Sequence, residues 1–236
     1  MNRSASAAPE WSGPSYSVDP AQGRILIVVP SRDRPKKLAH LVHSILDTSE
    51  HADVVAYVDE DQRELYGWLE RLPGEISARV RVFFGPRVGP VAATNRMVSE
   101  ALETHEVFAF LTDDCSITTH GWDRGVLAML TNRIGIVAPA HATEDLDLPF
   151  VSRGWVRALG YFAWPGLYHW GWPSVTAALA AATRTVTRSA PGDFYIDHPA
   201  HESMNRERYP SDIIALYDFF ACHFDAALED LRRSLP

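Results

Sequence analysis

The chain has 236 residues, of which 46% are hydrophobic, and carries a formal net charge of −8 at pH 7. This length and apolar content suit one larger domain with a sizeable core, and the acidic balance disfavours a polyanion such as nucleic acid as a partner. Two widely separated cysteines exclude a disulfide framework, and the longest apolar runs are far shorter than the roughly 20 residues of a membrane-spanning helix. We therefore expect a cytoplasmic protein without membrane insertion or an export signal.

Residues 1–23 are rich in Ser, Ala, Pro and Gly and show no apolar periodicity. Such a segment buries too little apolar surface to offset the entropy lost on ordering, which predicts a flexible N-terminal leader. We expect the remaining residues, 24–236, to form a single domain.

Between Arg24 and Thr112, apolar runs typical of strands alternate with segments of helical periodicity. The predicted strands are Ile25–Val29, Asp53–Val58, Arg79–Phe84 and Val107–Thr112. The predicted helices are the segment from Leu38 to Leu46, Gln62–Leu72 and Val91–Leu102. Strands that are apolar throughout are buried on both faces, so the alternation predicts an α/β fold with a mostly parallel sheet flanked by helices.

The second half has a different character. Ile134–Ala138 is a predicted strand, but the segment from Phe150 to Pro173 reads as a loop and is crowded with aromatic residues. These are Trp155, Tyr161, Phe162, Trp164, Tyr168, Trp170 and Trp172. Two interpretations are open: the aromatic segment forms a wall for binding a ligand, or it forms a satellite core packed beneath a long loop.

Polar clusters follow four of the predicted strands. They are residues 30–35, 59–61, 85–90 and 112–115. Because parallel strands end at the same edge of a sheet, and ligands of such sheets bind there, all four clusters should meet on one rim. Each alone is a weak signal, since an Asp after a strand is commonly a helix cap or a turn residue.

Asp113 and Asp114 are adjacent carboxylates that follow a strongly apolar strand. Two such groups repel each other unless a cation or hydrogen-bond donors compensate them. Magnesium and manganese prefer oxygen ligands and bind through one or two carboxylates together with substrate phosphates. The pair therefore predicts a divalent cation and a diphosphate-bearing substrate.

The order of these segments resembles family-2 glycosyltransferases. The resemblance covers roughly Arg24 to Asp123 and rests on Ile27–Pro35, Val58–Asp61, Asn95 and Phe110–Asp114. A looser similarity, to small transferases of bacteriophage and actinobacterial genomes, rests on Leu148–Trp155, Leu159–Phe162, His169–Trp170 and Asp197–Pro199.

The resemblance implies a GT-A, Rossmann-like fold with a nucleotide-sugar-binding half, residues 24–123, and an aromatic-rich acceptor-binding half, residues 124–236. It implies that Asp59 accepts hydrogen bonds from the base of the nucleotide. The resemblance also implies that Pro30, Arg32, Asn95 and Asp113 bind the nucleotide-sugar donor. It also implies a Mn²⁺ or Mg²⁺ ion held by Asp114 and His198, with His141, His169 and His201 competing for the histidine role, and a UDP-sugar is the favoured donor.

The sequence departs from the family pattern in two places. Cys115 stands where a third oxygen ligand is usual, and a thiol is a poor partner for magnesium. The segment from Gly154 to Thr183 lacks the carboxylate that inverting members use as the base. The remaining candidates for the base are Glu144, Asp145, Asp147 and His169. We favour Asp147, because its segment leads directly into the aromatic segment.

Arg87 follows a strand between glycines and prolines. It is either a fixed bidentate donor to the diphosphate or a solvated loop arginine.

These observations predict an inverting, metal-dependent glycosyltransferase of the hexosyltransferase type. Its acceptor hydroxyl is open among a glycan, a lipid-linked sugar, a protein side chain and a modified DNA base. The alternatives are a catalytically weak or inactive module that binds nucleotide-sugars or glycans, and a nucleotidyltransferase. The last is disfavoured, because the sequence lacks a glycine-rich phosphate loop followed by lysine.

Overall fold

The structure, a computed structural model, describes residues 23–131, 133–139, 148–169, 171–188, 196–197 and 210–235. Nearly all of the predicted leader, residues 1–23, lies outside this range. Within the described residues, no helix combines the length and the apolar character needed to cross a membrane.

The first half alternates strands and helices in the predicted order. Its elements are β1 (Ile25–Ser31), α1 (Pro35–Thr48), β2 (Ala52–Asp59), a 3₁₀ turn (Glu60–Gln62), α2 (Arg63–Tyr66), a 3₁₀ turn (Leu69–Arg71), α3 (Gly74–Ser77), β3 (Val80–Gly85), α4 (Pro90–Ala101) and β4 (Val107–Phe110).

The second half adds short strands and the helices that cover the sheet. Its elements are β5 (Ser116–Ile117), α5 (Trp122–Leu130), β6 (Ile136–Ala138), β7 (Phe150–Ser152), α6 (Arg153–Leu159), α7 (Trp172–Thr183), β8 (Val186–Arg188), β9 (Ile196–Asp197), α8 (Pro210–Asp218), a π-helical turn (Phe219–His223) and α9 (Phe224–Ser234).

Among the described residues, the main sheet has the strand order β3-β2-β1-β4-β7-β6-β8. The pairs β1–β2, β1–β4, β2–β3 and β6–β8 are parallel, and β7 is antiparallel to both of its neighbours. A separate pair, β5–β9, places Ser116 opposite Asp197. The predicted α/β class and mostly parallel sheet are confirmed.

Helices bury both faces of the sheet, which explains why its strands are apolar throughout. Side chains alternate along β1, so that Ile25, Ile27 and Val29 belong to one core cluster and Leu26 and Val28 to the other. Helices α1 and α5 pack on the first face, and α4, α6, α7 and α9 pack on the second. Loops follow the carboxyl ends of β1 to β4, and polar residues in these loops can form a ligand site.

The predicted helix Gln62–Leu72 is wrong as a continuous element. Its first turn, α2, gives way at Gly67, and a 3₁₀ turn follows. Glycine is a poor helix former, and the Tyr66 hydroxyl is held at the end of β1 by Ser31 Oγ at 2.8 Å and by the Arg34 backbone N–H at 2.9 Å. These contacts hold the Tyr66 side chain against the loop that follows β1.

The loop-like reading of the aromatic segment is also corrected, because the segment contains β7, α6 and the start of α7. Trp155, Phe162 and Trp172 are core residues of the second face. Tyr168 is 43% exposed, and Trp170 lies outside the described residues. Most of this segment therefore packs as core, and its residues Phe162, Ala163, His169 and Trp172 border a cleft.

Candidate active site

Direct contacts join the polar ends of the central strands. Ser31, which ends β1, donates its hydroxyl to Asp113 Oδ2 at 2.7 Å, after β4. Arg32 donates from Nη1 to Asp59 Oδ2 at 2.7 Å, at the end of β2. Arg87, after β3, lies 4.0 Å from Asp59 Oδ2 through its Nε. The four polar clusters thus form the single rim that parallel strand ends predict.

Asp113 and Asp114 form an acidic pair beside two basic side chains from the start of α1. Arg34 Nη1 lies 3.2 Å from Asp113 Oδ1 and 3.3 Å from Asp114 Oδ2, and Lys37 Nζ lies 3.6 Å from Asp114 Oδ2. Asp113 is only 5% exposed, and this burial raises the pKa of its carboxyl, while the hydrogen bond from Ser31 and the charge of Arg34 partly offset the rise. The pair therefore sits where positive charge stabilises it.

Sequence reasoning placed Arg34 on the rim without assigning it a role and missed Lys37, although a signal was available. Helix α1 begins with Pro35 and has no acidic residue in its first turn. Basic residues at a helix N-terminus oppose the helix dipole, so their presence there indicates a negative partner elsewhere. The acidic pair after β4 is that partner.

Cys115 is fully buried in the core beneath the site. Its Sγ lies 3.0 Å from Thr112 Oγ1, and burial raises the pKa of the thiol to about 12. A neutral, enclosed thiol is not available as a metal ligand. Position 115 is thus a packing position, and the carboxylates next to it are those of Asp113 and Asp114.

The residues present fit an open magnesium or manganese site that a substrate completes. Within the described ranges, no group of three or more His, Cys, Asp or Glu side chains is placed to hold a metal. Two adjacent carboxylates are nevertheless the usual protein share of such a site, since substrate phosphates supply further ligands. His198 lies outside the described residues, one position after Asp197, whose strand partner Ser116 is two residues beyond Asp114.

Arg32 is the centre of a second charged group on the rim. Besides Asp59, it donates from Nη1 to Asp61 Oδ1 at 2.8 Å and from Nη2 to Asp61 Oδ2 at 2.7 Å. The hydrogen bonds to Asp61 and then Asp59 raise the pKa of the guanidinium. Pro30 lies beside this group in β1 and is opposite Tyr57 of β2. The Arg87 side chain, also near Asp59, is 67% exposed to solvent. Asp59 is thereby oriented by a fixed cation.

Asn95 connects α4 to the aromatic segment. Its Oδ1 accepts hydrogen bonds from the backbone N–H groups of Phe162 at 3.0 Å and Ala163 at 2.9 Å, and its Nδ2 donates to the Ala163 carbonyl at 2.7 Å. The Asn95 amide is therefore a brace for the backbone of this segment. A contact between Asn95 and the nucleotide-sugar stays a prediction.

Asp212, another residue that sequence reasoning missed, holds the end of the aromatic segment. It lies in the first turn of α8, is buried, and accepts the backbone N–H groups of Tyr168 at 2.7 Å and His169 at 2.8 Å. The exposed His169 is thereby kept near α4. Asp145 and Asp147, the other candidates for the base, lie outside the described residues with Glu144.

A narrow cleft lies between the start of α4, the end of β4 and the aromatic segment. It is a tight crevice without room for a water molecule. Its lining residues are Pro90, Val91, Thr94, Phe110, Phe162, Ala163, His169 and Trp172. Phe110 ends β4 three residues before Asp113, so the cleft and the acidic pair belong to the same edge of the sheet.

Solved structures of nucleotide-sugar enzymes share this fold. The mannosyltransferase PcManGT from Pyrobaculum calidifontis, in complex with GDP-Man and Mn²⁺, superposes with a TM-score of 0.60 at 14% identity over 92% of this chain and 75% of its own. S. aureus TarS, residues 1–349 in complex with UDP-GlcNAc, gives a TM-score of 0.59 at 12% identity over 89% of this chain and 72% of its own.

GalNAc-T7 with UDP, GalNAc and Mn²⁺ gives a TM-score of 0.57 at 14% identity over 75% of this chain. This chain covers only 44% of the length of the GalNAc-T7 chain. Identities this low bear on the fold, and they confirm the GT-A architecture.

At the level of sequence, no curated protein matches the chain significantly. The profile of glycosyl transferase family 2 matches residues 26–190, which include the whole rim and the cleft. The chain therefore belongs to glycosyl transferase family 2.

Proposed function

We propose that this glycosyltransferase moves a hexosyl group from a nucleoside diphosphate sugar, with UDP favoured, to an acceptor hydroxyl with inversion at the sugar carbon and with a divalent cation. The observation that carries the proposal is the acidic pair Asp113 and Asp114 at the end of β4, within 3.6 Å of Arg34 and Lys37. Charges of both signs, concentrated at a sheet edge, suit a diphosphate with its counter-ion.

The nucleotide is proposed to bind along the ends of β1 and β2. Asp59 accepts hydrogen bonds from the base, and Arg32 orients Asp59 through its 2.7 Å hydrogen bond. Pro30 borders the same pocket from β1. Solved structures of the same fold contain UDP, UDP-GlcNAc or GDP-Man, which supports a nucleotide-sugar as the donor.

The diphosphate is proposed to lie over the acidic pair. Asp114, with Asp113 and His198, would hold a Mn²⁺ or Mg²⁺ ion, which would supply positive charge to the departing diphosphate. Arg34, Lys37 and Arg87 are the basic side chains of the rim that can turn to the same phosphate oxygens. Charge that develops on the leaving group is thereby stabilised, which is the main task of this half of the site.

The proton of the acceptor hydroxyl is proposed to pass to Asp147. Inversion requires the base on the face of the sugar opposite the leaving diphosphate, within hydrogen-bond reach of the attacking oxygen. Asp113 and Asp114 lie on the diphosphate side and so do not serve. Asp145 is the neighbouring carboxylate, and His169, at the cleft, is the rival base.

The acceptor half of the domain, residues 124–236, is proposed to bind a glycan, a lipid-linked sugar, a protein side chain or a modified DNA base. One observation also favours a module that binds nucleotide-sugars without catalysis. The acidic pair already has Arg34 and Lys37 as counter-ions, so its negative charge is compensated without a metal.

The test is hydrolysis and binding of UDP-GlcNAc, UDP-Glc and GDP-Man with Mn²⁺ and with a chelator. We expect Mn²⁺-dependent turnover of at least one donor and its loss in Asp114→Asn, with the fold intact by circular dichroism. Asp225→Asn, an exposed carboxylate of α9, is the matched control and should behave as the parent protein. Donor binding without turnover, indifferent to Mn²⁺, would favour the binding module.

A further inference from the structure

A fully buried tyrosine hydroxyl is connected to the acidic pair by a short chain of hydrogen bonds. Tyr66 ends α2, and its Oη lies 2.8 Å from Ser31 Oγ at the end of β1. Ser31 Oγ in turn donates to Asp113 Oδ2 at 2.7 Å. The Arg34 backbone N–H donates to the same Tyr66 Oη at 2.9 Å. The hydroxyls of Tyr66 and Ser31 thus form a relay from the loop after β1 to the carboxylate after β4.

The direction of each hydrogen bond follows from the protons that each group carries. A serine or tyrosine hydroxyl has one proton to donate and can accept further hydrogen bonds. Ser31 gives its proton to Asp113, so it accepts the proton of Tyr66. Tyr66 accepts the Arg34 amide proton, and burial raises the pKa of its hydroxyl, which keeps that hydroxyl a neutral donor. All three bonds therefore point toward the carboxylate, and each strengthens the next by polarisation.

The backbone between β1 and α1 is strained where the relay begins. Asp33 has a φ of 61°, in the left-handed region that is uncommon for residues other than glycine. Side chains of one short segment hold this backbone: the Asp33 N–H donates to Gln62 Oε1 at 3.2 Å, and the Arg34 N–H donates to Tyr66 Oη. Strained backbone persists where surrounding contacts enforce it, and it is concentrated at ligand sites. The Tyr66 hydroxyl thus fixes both the backbone of Arg34 and, through Ser31, the carboxylate of Asp113.

Packing accounts for the ring of Tyr66 but not for its hydroxyl. The ring belongs to the core cluster on the α1 face of the sheet, where a phenylalanine ring would fill the same space. A buried hydroxyl loses its hydration, so it needs hydrogen bonds in return. A second core tyrosine, Tyr57, donates its hydroxyl to the backbone carbonyl of Pro86 at 2.8 Å. Tyr66 instead directs its hydroxyl to a side chain that holds the acidic pair.

We propose that Tyr66 is a positioning residue: its hydroxyl, acting through Ser31, holds Asp113 in the orientation in which the acidic pair binds a divalent cation and the donor diphosphate. The inference rests on the proposed function and adds two residues to the metal half of its site. Tyr66 is enclosed in the core, so it acts without touching donor or cation. Its contribution is to restrict the Asp113 carboxylate before the ligands arrive, and preorganisation of this kind strengthens binding.

The test measures the affinity for Mn²⁺ at saturating UDP, from the free Mn²⁺ signal in electron paramagnetic resonance, corrected for Mn²⁺ that UDP binds without protein. Tyr66→Phe keeps the ring and removes the hydroxyl, and Ser31→Ala removes the next member of the relay. We expect Tyr66→Phe to weaken Mn²⁺ binding about three- to tenfold, the usual effect of one hydrogen bond, and Ser31→Ala to weaken it at least as much. Tyr161→Phe, which removes a partly buried hydroxyl near Asp230 of α9, should bind Mn²⁺ as the parent protein does.

A double variant, Tyr66→Phe with Ser31→Ala, separates positioning from a general loss of stability. If Tyr66 acts through Ser31, the double variant binds Mn²⁺ as Ser31→Ala alone does, whereas two independent effects multiply. Thermal unfolding shows that each variant is folded at the temperature of the measurement. A loss of stability alone leaves the Mn²⁺ affinity of the folded protein unchanged.

Parent-like Mn²⁺ affinity in either single variant, or losses that multiply in the double variant, would overturn the inference. Because Ser31→Ala tests the relay independently of the Tyr66 ring, the result does not depend on one variant. If the parent protein itself binds no Mn²⁺ in the presence of UDP, the proposed function fails, and this inference fails with it.

Discussion

The Arg34 guanidinium lies 3.3 Å from Asp114 Oδ2, so a side chain from the start of α1 provides positive charge at the carboxylate proposed to hold the metal. Arg34 also contacts Asp113 Oδ1 at 3.2 Å. A cation and a guanidinium cannot both neutralise the pair from the same side. Metal binding should therefore move Arg34, and the diphosphate is its natural new partner.

Replacing Arg34 with Gln should tighten binding of Mn²⁺ to the nucleotide-free protein, because the ion no longer competes with a guanidinium. We expect a gain of about three- to tenfold, measured from the free Mn²⁺ signal in electron paramagnetic resonance. The same variant should bind UDP more weakly. Arg232→Gln, an exposed residue of α9, is the control for a change in net charge. Unchanged or weaker Mn²⁺ binding in Arg34→Gln would contradict the competition.

Replacing Asp59 with Ala should weaken UDP binding by about 1–3 kcal/mol, the cost of leaving buried polar groups unpaired, as read by calorimetry. Because Asp59 and Asp61 share Arg32, the variant also frees that guanidinium. Asp61→Asn disturbs Arg32 in a similar way while Asp59 remains. Equal losses in the two variants would mean that Asp59 acts only by holding Arg32.

Replacing Asp147 with Asn should lower turnover by about 10²–10⁴-fold, the usual contribution of a general base, with nearly unchanged donor binding. Asp145→Asn and Glu144→Gln are the neighbouring controls and should retain most activity. Single-turnover rates at saturating donor give the comparison. If His169→Ala shows the large loss while all three carboxylate variants stay active, the base is His169.

Replacing Asp53 with Asn should lower the free energy of unfolding near neutral pH. The free energy of unfolding of the variant should also fall less than that of the parent protein as the pH is lowered. Burial alone raises the pKa of Asp53, but hydrogen bonds from His105 and Arg24 outweigh it and set the pKa below its ordinary value of 3.8. A lowered pKa in the folded state gives stability that is present above the unfolded pKa and is lost as the pH falls through the folded pKa.

At pH 7 the free energy of unfolding of the Asp53→Asn protein should thus be lower by about 1–3 kcal/mol, which is read as a lower unfolding temperature. The difference in the free energy of unfolding between the variant and the parent protein should narrow below about pH 4, where the Asp53 carboxylate of the unfolded chain becomes protonated. Asp225→Asn serves as an exposed control. A gap of constant size between pH 7 and pH 3 would show that the effect is not electrostatic.

The sequence by itself determined the parallel sheet, the rim and the acidic pair. These depend on local order: an apolar run long enough for a buried strand, then a polar cluster at its end, repeated along the chain. Parallel strands bring such ends together whatever the details of packing. The family resemblance rested on the same segments and is confirmed by the match over residues 26–190.

Only the tertiary structure decided what each rim residue touches. Arg34 reaches Asp114 across 80 positions of sequence, and Asp212 holds His169 across 43, so neither contact has a local pattern. Tyr168 packs where a side chain at Gly89 would lie, 2.6 Å from its Cβ position, which ties α4 to the aromatic segment. The burial of Cys115 likewise follows from which helix covers which face of the sheet, because burial depends on the packed chain and not on residues nearby in sequence.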